Sequence, residues 1–276
     1  EGLGTYAPDA ERQAGRGVGG QAVIRREVII GDCRLILGDC LDVLPTLSRV
    51  DAIITDPPFE KEAHTPVRRT QRSIRDDTPA ELGFDAITEE TRLAVPRWAA
   101  ERCSGWLLAF CQVEAVSSWR DAMEAAGLKY KRGMAWVKPD SSPQFNGQMP
   151  AQGYECIASA WCGTGISRWN GGGRRGVFTH LTNQPDRDGR HPTEKPIPLM
   201  RELVGLFTGL GQVVLDPFMG SGSTAIGCIK TGRRFIGIEK SAEHFQTACE
   251  RIQDAFSRPD MFIERAPEPR QEQLGI

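Results

Sequence analysis

The order of hydrophobic and polar positions along the chain predicts strands and helices in alternation. Apolar residues on either side of Gly31-Asp32 indicate a hairpin over residues 27–38. Longer apolar runs predict strands over 51–55, 105–111, 129–137, 153–161, 212–216 and 234–239. Predicted helices cover 88–103 (kinked at Pro96), 113–126, 196–208, 222–231 and 241–257, with a short helical piece over 40–47. We therefore expect an α/β fold whose mostly parallel sheet is covered by helices on both faces.

The segments between these elements suggest how the chain is divided. Residues 1–26 are expected to form a flexible arm, because the beginning of the chain is rich in glycine and has no hydrophobic period. Residues 27–258 form the expected domain, and the charged, proline-containing residues 259–276 an expected loose tail. Within the domain, residues 60–87 and 162–194 show neither strand nor helix periodicity and are expected to be irregular.

Composition argues against a membrane protein, a secreted protein and a metalloprotein. No apolar run approaches the ~20 residues of a membrane-spanning helix, and the start of the chain lacks the apolar core of a signal peptide. None of the eight cysteines belongs to a CxxC pair, and several lie in apolar runs. This pattern favours reduced, structural cysteines in a cytoplasmic protein without a metal site.

Basic residues are concentrated in two irregular stretches, although the formal net charge of the chain is only −2. Residues 60–75 hold five basic side chains against two glutamates, and residues 165–190 hold five against two aspartates. Basic loops of this kind commonly contact nucleic-acid phosphates. The candidate DNA-binding residues are Lys61, Arg68, Arg69, Arg72, Arg174 and Arg175. The alternative is that both stretches are solvated loops without a ligand.

A glycine-rich turn follows the predicted strand 212–216. Asp216 ends this strand, and Gly220 and Gly222 let the backbone approach a ligand closely before a helix begins. A Walker A loop is excluded because no Lys-Ser/Thr pair follows the glycines. The dinucleotide fingerprint GxGxxG is not met either, because Ala225 stands where its last glycine would be. A plain tight turn remains the alternative for this segment alone.

Two further acidic residues stand at the ends of predicted strands and support a ligand site. Glu239 ends the strand after the glycine-rich turn, where it can accept hydrogen bonds from ribose hydroxyls. Asp39 follows the second strand of the hairpin, where it can bind an adenine amino group. Together with the turn they indicate a nucleoside cofactor without a pyrophosphate, although each could also be an ordinary surface acid.

The tetrapeptide Asp56-Pro57-Pro58-Phe59 directly follows the predicted strand 51–55. An aromatic amine becomes nucleophilic when a carboxylate and a carbonyl accept both of its N–H groups, and Asp56 and Pro57 can supply these acceptors. Pro58 stiffens the turn, and the Phe59 ring can stack on an extracted base. An ordinary Asp-Pro turn is the alternative, and the nearby cofactor turn makes it the weaker one.

These motifs and their order resemble the β class of DNA amino-methyltransferases, in which the catalytic motif precedes the cofactor motif. The resemblance covers residues 27–257 and rests on LGDCLDVLPTL (37–47), DAIITDPPF (51–59), MAWVKPD (134–140), HPTEKP (191–196) and DPFMGSGST (216–224). It implies a circularly permuted, Rossmann-like sheet of seven strands in a catalytic domain over residues 27–258. It also implies S-adenosylmethionine as the cofactor.

The resemblance further implies roles for individual residues. Asp56, Pro57, Pro58 and Phe59 are implied to be catalytic. His191, Thr193 and Lys195 are implied to close over the methionine end of the cofactor. Cofactor contacts are implied for Asp39, Cys40, Asp216, Phe218, Gly220, Gly222, Ser223 and Glu239. The usual target-recognition segment, residues 141–190, is short here, so loop 60–87 is expected to share DNA recognition.

The expected activity is sequence-specific methylation of adenine N6 in double-stranded DNA. An Asp at the first position of the tetrapeptide favours adenine, whereas Ser is typical of N4-cytosine enzymes, which remain the alternative. A non-catalytic DNA-binding subunit of the same fold is a weaker alternative, because such a subunit would need neither Asp56 nor the glycine-rich turn. Members of the class suggest a homodimer and a cognate restriction endonuclease as partners, in a prokaryotic or phage setting.

Overall fold

The computed structural model describes residues 23–58, 87–144, 147–182 and 194–258. Within these ranges the strands are β1 (Arg26–Ile30), β2 (Cys33–Leu37), β3 (Ala52–Thr55), β4 (Trp106–Cys111), β5 (Lys129–Val137), β6 (Tyr154–Trp161), β7 (Val177–Thr179), β8 (Val213–Asp216) and β9 (Arg234–Glu239). The α-helices are α1 (Cys40–Val43), α2 (Glu89–Arg102), α3 (Val116–Ala125), α4 (Ile197–Phe207), α5 (Ser223–Ile229) and α6 (Ala242–Ser257). Short 3-10 turns follow α1 and precede α3.

All nine strands form one sheet in the order β1-β2-β9-β8-β3-β4-β6-β5-β7. The five consecutive strands β2-β9-β8-β3-β4 run parallel to one another. The pairs β1–β2, β4–β6 and β5–β6 are antiparallel, and β7 adds a short parallel edge to β5. The sheet is thus mostly parallel, as the alternation of strands and helices predicted.

Helices cover both faces of the sheet, because its central strands are apolar on both sides. All residues of β3 and β4 are buried. One core contains residues of α4, α5 and α6, including Leu199, Ile226 and Phe245. The other contains residues of α1, α2 and α3, including Val95 and Trp119. This arrangement confirms the expected fold class and leaves the carboxyl ends of the parallel strands at one edge.

Two features of the sheet differ from the sequence-based expectation. The sheet has nine strands instead of the seven that the resemblance implied, because β1 and β7 extend it at its two ends. β7 lies inside the segment 162–194 that was expected to be irregular. Its three residues are too few to show alternation, and it is defined by pairing with β5 between Ala135 and Val137.

The outer boundaries of the predicted domain are only partly described. Arg25 donates a backbone hydrogen bond to Leu37, and Arg26 begins β1, so residues 25 and 26 of the predicted arm are part of the fold. The first 22 residues and the predicted tail lie outside the described ranges. None of the eight cysteines, all of which are described, forms a disulfide. In the described part of the chain, no helix is long and apolar enough to span a membrane.

Candidate active site

Four carboxylates lie in a row at the carboxyl edge of the parallel strands. Asp39 follows β2, Glu239 ends β9, Asp216 ends β8 and Asp56 follows β3. These strands are neighbours in the sheet in that order. Open α/β sheets bind their ligands at this edge, so the four side chains define the candidate site.

Asp216 is buried, and its carboxylate organises the turn after β8. Oδ1 accepts hydrogen bonds from the Thr55 hydroxyl at 2.7 Å and from the backbone N–H of Phe218 at 3.1 Å. Oδ2 accepts one from the Thr224 hydroxyl at 2.6 Å. Burial raises the pKa of Asp216 to about 6, because the lost hydration outweighs these hydrogen bonds. Asp216 therefore acts on a ligand site by fixing the shape of this turn.

The glycines of the turn have left-handed backbone angles, with φ of 54° at Gly220 and 85° at Gly222. Gly220 donates its backbone N–H to Oε2 of Glu239 at 2.8 Å, and Ser241 donates its own to Oε1 at 2.7 Å. Glu239 thus joins the turn to the end of β9, while each carboxylate oxygen keeps capacity for another donor. The Ser223 hydroxyl is buried and has no hydrogen-bond partner among the described residues.

Asp39 caps the short helix α1 and lies beside the end of β9. Oδ1 accepts a backbone hydrogen bond from the first turn of α1 at 3.0 Å, and Oδ2 lies 2.9 Å from the Lys240 ammonium. Burial opposes ionisation, but these partners outweigh it and lower the pKa of Asp39. Gly38 donates its N–H to the Glu239 carbonyl at 2.9 Å, which brings the two acids together. Burial raises the pKa of Cys40 to about 12, so its thiol is neutral.

Lys195, just before α4, contacts Asp56. Its Nζ lies 2.5 Å from Oδ2 of Asp56, and the lysine side chain is only 6% exposed. The other oxygen, Oδ1, is enclosed and accepts no hydrogen bond from the described residues. Burial raises the pKa of Asp56, and the Lys195 charge offsets this only in part. The resemblance implied that Lys195 contacts the cofactor, whereas its ammonium is observed on the carboxylate after β3.

Two charged residues that the sequence analysis did not select lie behind this pair. The Glu155 side chain on β6 is only 12% exposed, and its Oε2 lies 3.3 Å from Nζ of Lys195. Its Oε1 accepts a hydrogen bond from the Lys138 ammonium, which also lies over the Trp136 ring at 4.4 Å. The available signal was a single acid in the apolar run 153–161 and a lysine directly after the predicted strand 129–137.

A second buried ion pair connects the segment before α4 with the glycine-rich turn. Arg251 on α6 pairs with Glu194, and both side chains are 4% exposed. The same guanidinium donates hydrogen bonds to the Ser221 carbonyl at 2.6 Å and to the Ser221 hydroxyl at 2.9 Å. Because Glu194 and Lys195 are adjacent, this segment connects the turn after β8 with the carboxylate after β3.

Comparison with known proteins shows which proteins this chain resembles. Residues 161–250 match the N6_N4_Mtase family, described as DNA methylase. The methylase YubD of Escherichia coli K12 is 27% identical over 79% of this chain and 89% of its own length. The type II methyltransferase M2.DpnII of Streptococcus pneumoniae is 30% identical over 48% of this chain and 54% of its own. The M1.HpyAVI–SAM complex has a TM-score of 0.62 at 26% identity, over 79% of this chain and 99% of that one.

These matches support an S-adenosylmethionine-dependent DNA amino-methyltransferase of the N6-adenine/N4-cytosine family. The similarity agrees with the predicted family and with S-adenosylmethionine as the cofactor. It does not separate adenine from cytosine. The cytosine-N4-specific PvuII DNA methyltransferase has the same fold, with a TM-score of 0.59 at 13% identity.

Several residues predicted for this DNA methylase lie outside the described ranges: Phe59, Lys61, Arg68, Arg69, Arg72, His191 and Thr193. Pro57 and Pro58 are described and follow Asp56 directly. Arg174 and Arg175 are exposed and precede β7, and Arg174 is paired with Glu202 of α4 at 2.5 Å. No cluster of His, Cys, Asp or Glu that could hold a metal ion occurs in the described ranges.

Proposed function

We propose that this DNA methylase transfers a methyl group from S-adenosylmethionine to N6 of an adenine in double-stranded DNA. The observation that carries the proposal is that the two oxygens of the Asp56 carboxylate have different contacts. Oδ2 is held by Lys195, while Oδ1 accepts no hydrogen bond from the described residues. An enclosed, unsatisfied acceptor is costly unless a ligand uses it, and an exocyclic amine is the donor that this family provides. Asp at the first position of the tetrapeptide supports adenine over cytosine.

The proposed chemistry uses both acceptors after β3. The Asp56 carboxylate and the Pro57 carbonyl accept the two N–H groups, which makes the nitrogen lone pair available for attack. S-adenosylmethionine supplies an electrophilic methyl group when bound. As the N–C bond forms, the S–C bond breaks, and its electron pair stays on sulfur. The nitrogen then loses one proton, which Asp56 accepts, and burial favours this because it raises the pKa of Asp56.

The residues at the edge of β2, β9 and β8 fit the cofactor, and we assign them to it. The buried Ser223 hydroxyl, which has no partner among the described residues, offers a donor beside the turn. Glu239 retains acceptor capacity for ribose hydroxyls, and ionised Asp39 for an adenine amino group. Phe218, Gly220 and Gly222 form the turn that Asp216 organises.

Replacing Asp56 with Ala tests this proposal. We expect the variant to lose methyl transfer by several orders of magnitude, since both the hydrogen bond to the amine and the proton acceptor are removed. S-adenosylmethionine affinity should stay within a few-fold, because the cofactor residues are untouched. Long-read sequencing of DNA from expressing cells reports the methylated base and its sequence context, and calorimetry reports cofactor binding. Asp32→Asn, in the exposed β1–β2 turn, is the matched control.

Each possible result has a distinct meaning. Methylation at adenine that disappears only in Asp56→Ala supports the proposal. N4-methylcytosine would contradict the choice of base, while leaving the proposed role of Asp56 intact. A wild-type protein that binds DNA and cofactor without methylating either base would indicate a non-catalytic subunit. Loss of cofactor binding in Asp56→Ala would place Asp56 in the wrong half of the site.

A further inference from the structure

Four charged side chains of alternating sign lie in a line that ends at the proposed catalytic carboxylate. The order is Lys138, Glu155, Lys195 and Asp56, and we call this set the line of charges, or the line. Lys138 follows β5, Glu155 lies on β6, Lys195 precedes α4 and Asp56 follows β3. Side-chain exposure is between 6% and 28% for all four. Four elements therefore converge to place four charges in a poorly hydrated region.

Glu155 is the member whose placement needs a functional reason. A buried carboxylate loses hydration worth several kcal/mol, and good geometry must compensate for it. Lys138 satisfies Oε1, but Oε2 lies 3.3 Å from Lys195 and accepts no hydrogen bond from the described residues. An apolar side chain at this position of β6 would lie opposite Trp136 without that penalty, but the Lys138 and Lys195 ammonium groups would then lose the counter-charge that they share. The acid is therefore coupled to the positions of both lysines.

We infer that Glu155 is a positioning residue for methyl transfer: anchored by Lys138, it holds the Lys195 ammonium against Oδ2 of Asp56 and leaves Oδ1 directed to the substrate amine. This inference rests on the proposed function of Asp56. Without the second carboxylate, the ammonium would lose the attraction that draws it toward Glu155, and Oδ1 of Asp56 would attract it more strongly. The substrate amine would then compete with Lys195 for Oδ1.

The charges of the line also act on Asp56 with opposite signs. Among the described residues, the charged groups that act on Asp56 are Lys195, Glu155 and Lys138, and the Asp216 carboxylate interacts with it as well. The Glu155 charge raises the pKa of Asp56, and the Lys138 charge lowers it. Neutralising one or the other should therefore move the ionisation of Asp56 in opposite directions. A purely structural role for the line would produce no such pair of opposite shifts.

The experiment measures single-turnover methyl transfer against pH for the full-length protein with cofactor and its DNA. In Glu155→Gln we expect the acidic limb of the rate profile to move down by about half to one pH unit. The maximal rate should fall about ten- to a hundredfold, because Lys195 is no longer held. In Lys138→Met the acidic limb should move up. Binding constants for cofactor and DNA should stay within a few-fold in both variants.

Two further variants complete the test. Glu155→Asp keeps the charge and should restore the wild-type position of the acidic limb, with part of the rate. Glu27→Gln is the matched control, because Glu27 is a similarly buried, ion-paired strand glutamate on β1, which five intervening strands of the sheet order separate from β6 of Glu155. Its profile should equal that of the wild type.

The possible failures can be distinguished. If the wild type is inactive, or Asp56→Ala keeps its activity, the proposed function fails. If the wild type is active but Glu155→Gln and Lys138→Met leave the profile unmoved or shift it in the same direction, only the role of Glu155 fails. Should Glu155→Gln not fold, as judged by lost cofactor binding, Lys138→Met and Glu155→Asp still decide the question through the direction of their shifts.

Discussion

At the scale of single residues, the chemistry of the site depends on carboxylates that keep unequal amounts of hydration. Asp39 is half-buried and held ionised by Lys240, whereas Asp216 is buried among neutral donors. The loss of hydration raises the pKa of Asp216 to about 6, which lies within the range of laboratory and cellular pH. Acids at the same edge of the sheet therefore differ in protonation because they are buried to different extents, and not because of residue type.

This difference predicts how stability depends on pH. The folded-state pKa of Asp216 lies above its ordinary value of 3.8, so the fold favours the protonated form. Its contribution to the free energy of unfolding is present at low pH and is lost as pH rises through about 6. Relative to Asp216→Asn, the wild type should lose about 2 kcal/mol between pH 4.5 and pH 7.

Urea denaturation without cofactor at the two pH values measures this quantity. Asp32→Asn, an exposed aspartate, should show no such change against the wild type. A constant difference between wild type and Asp216→Asn across this range would show that Asp216 titrates at its ordinary pKa.

Sequence patterns predicted which acids reach the site, but not how each is used. Asp56, Asp216 and Glu239 follow or end apolar runs, so their position at the strand ends could be deduced. The partner of Lys195 could not be predicted, because Asp56 and Lys195 are 139 residues apart and meet only when the segment before α4 reaches the end of β3. Glu155 was missed because an acid in one apolar strand and a lysine after another do not show that the two side chains meet beside Lys195.

At the scale of elements, Arg251 connects α6 to two segments of the site. Arg251 lies on the buried face of α6 together with Phe245 and Ile252. Its guanidinium binds Glu194, before α4, and Ser221, in the glycine-rich turn. Three elements that are distant in sequence are thus fixed to one another at the cofactor side of the edge.

Replacing Arg251 with Met should destabilise the protein by about 3–5 kcal/mol, because the Glu194 carboxylate would remain buried without a counter-charge. The double variant Arg251→Met/Glu194→Gln should recover part of this loss, since the uncompensated charge is removed. Chemical denaturation of the set gives the coupling energy. Arg258→Met is the control: Arg258 is an exposed partner of Asp254 at the end of the same helix, and its loss should cost less than about 1 kcal/mol.

A loss below 1 kcal/mol in Arg251→Met, or no recovery in the double variant, would mean that Glu194 is solvated or neutral. Cofactor affinity should fall in Arg251→Met as well, because Ser221 loses two hydrogen bonds that fix the turn.

Most elements could be predicted because the spacing of hydrophobic residues within each segment indicates a strand or a helix. The hairpin β1–β2, the strands β5 and β6 and the three last helices lie within two residues of their predicted bounds. β7 could not be predicted, because its three residues gain strand character only from β5. The order of the strands in the sheet depends on packing across both cores, and for this the resemblance to a family was the only source.

At the scale of the whole molecule, the charge distribution separates the two basic stretches from the rest of the protein. Outside them the chain holds 24 basic and 32 acidic residues, so DNA attraction depends on the stretches themselves. In the sequence, residues 60–75 begin two positions after Pro58, which lies at the edge of the proposed active site. Arg174 and Arg175 lie before the first residue of β7. The last residue of β7, Thr179, is the one that lies beside Val137, next to Lys138 and the site.

We therefore predict that the first stretch contributes more to DNA binding than the second. Replacing Arg68, Arg69 and Arg72 with Ala should weaken binding and reduce the slope of log affinity against log salt by about one unit for each lost phosphate contact. Replacing Arg174 and Arg175 should reduce it less, because Arg174 is already paired with Glu202. Fluorescence anisotropy with duplex DNA at several salt concentrations gives both slopes. An unchanged slope in the triple variant would identify residues 60–75 as a solvated loop, and a larger change in the double variant would assign DNA contact to the segment before β7.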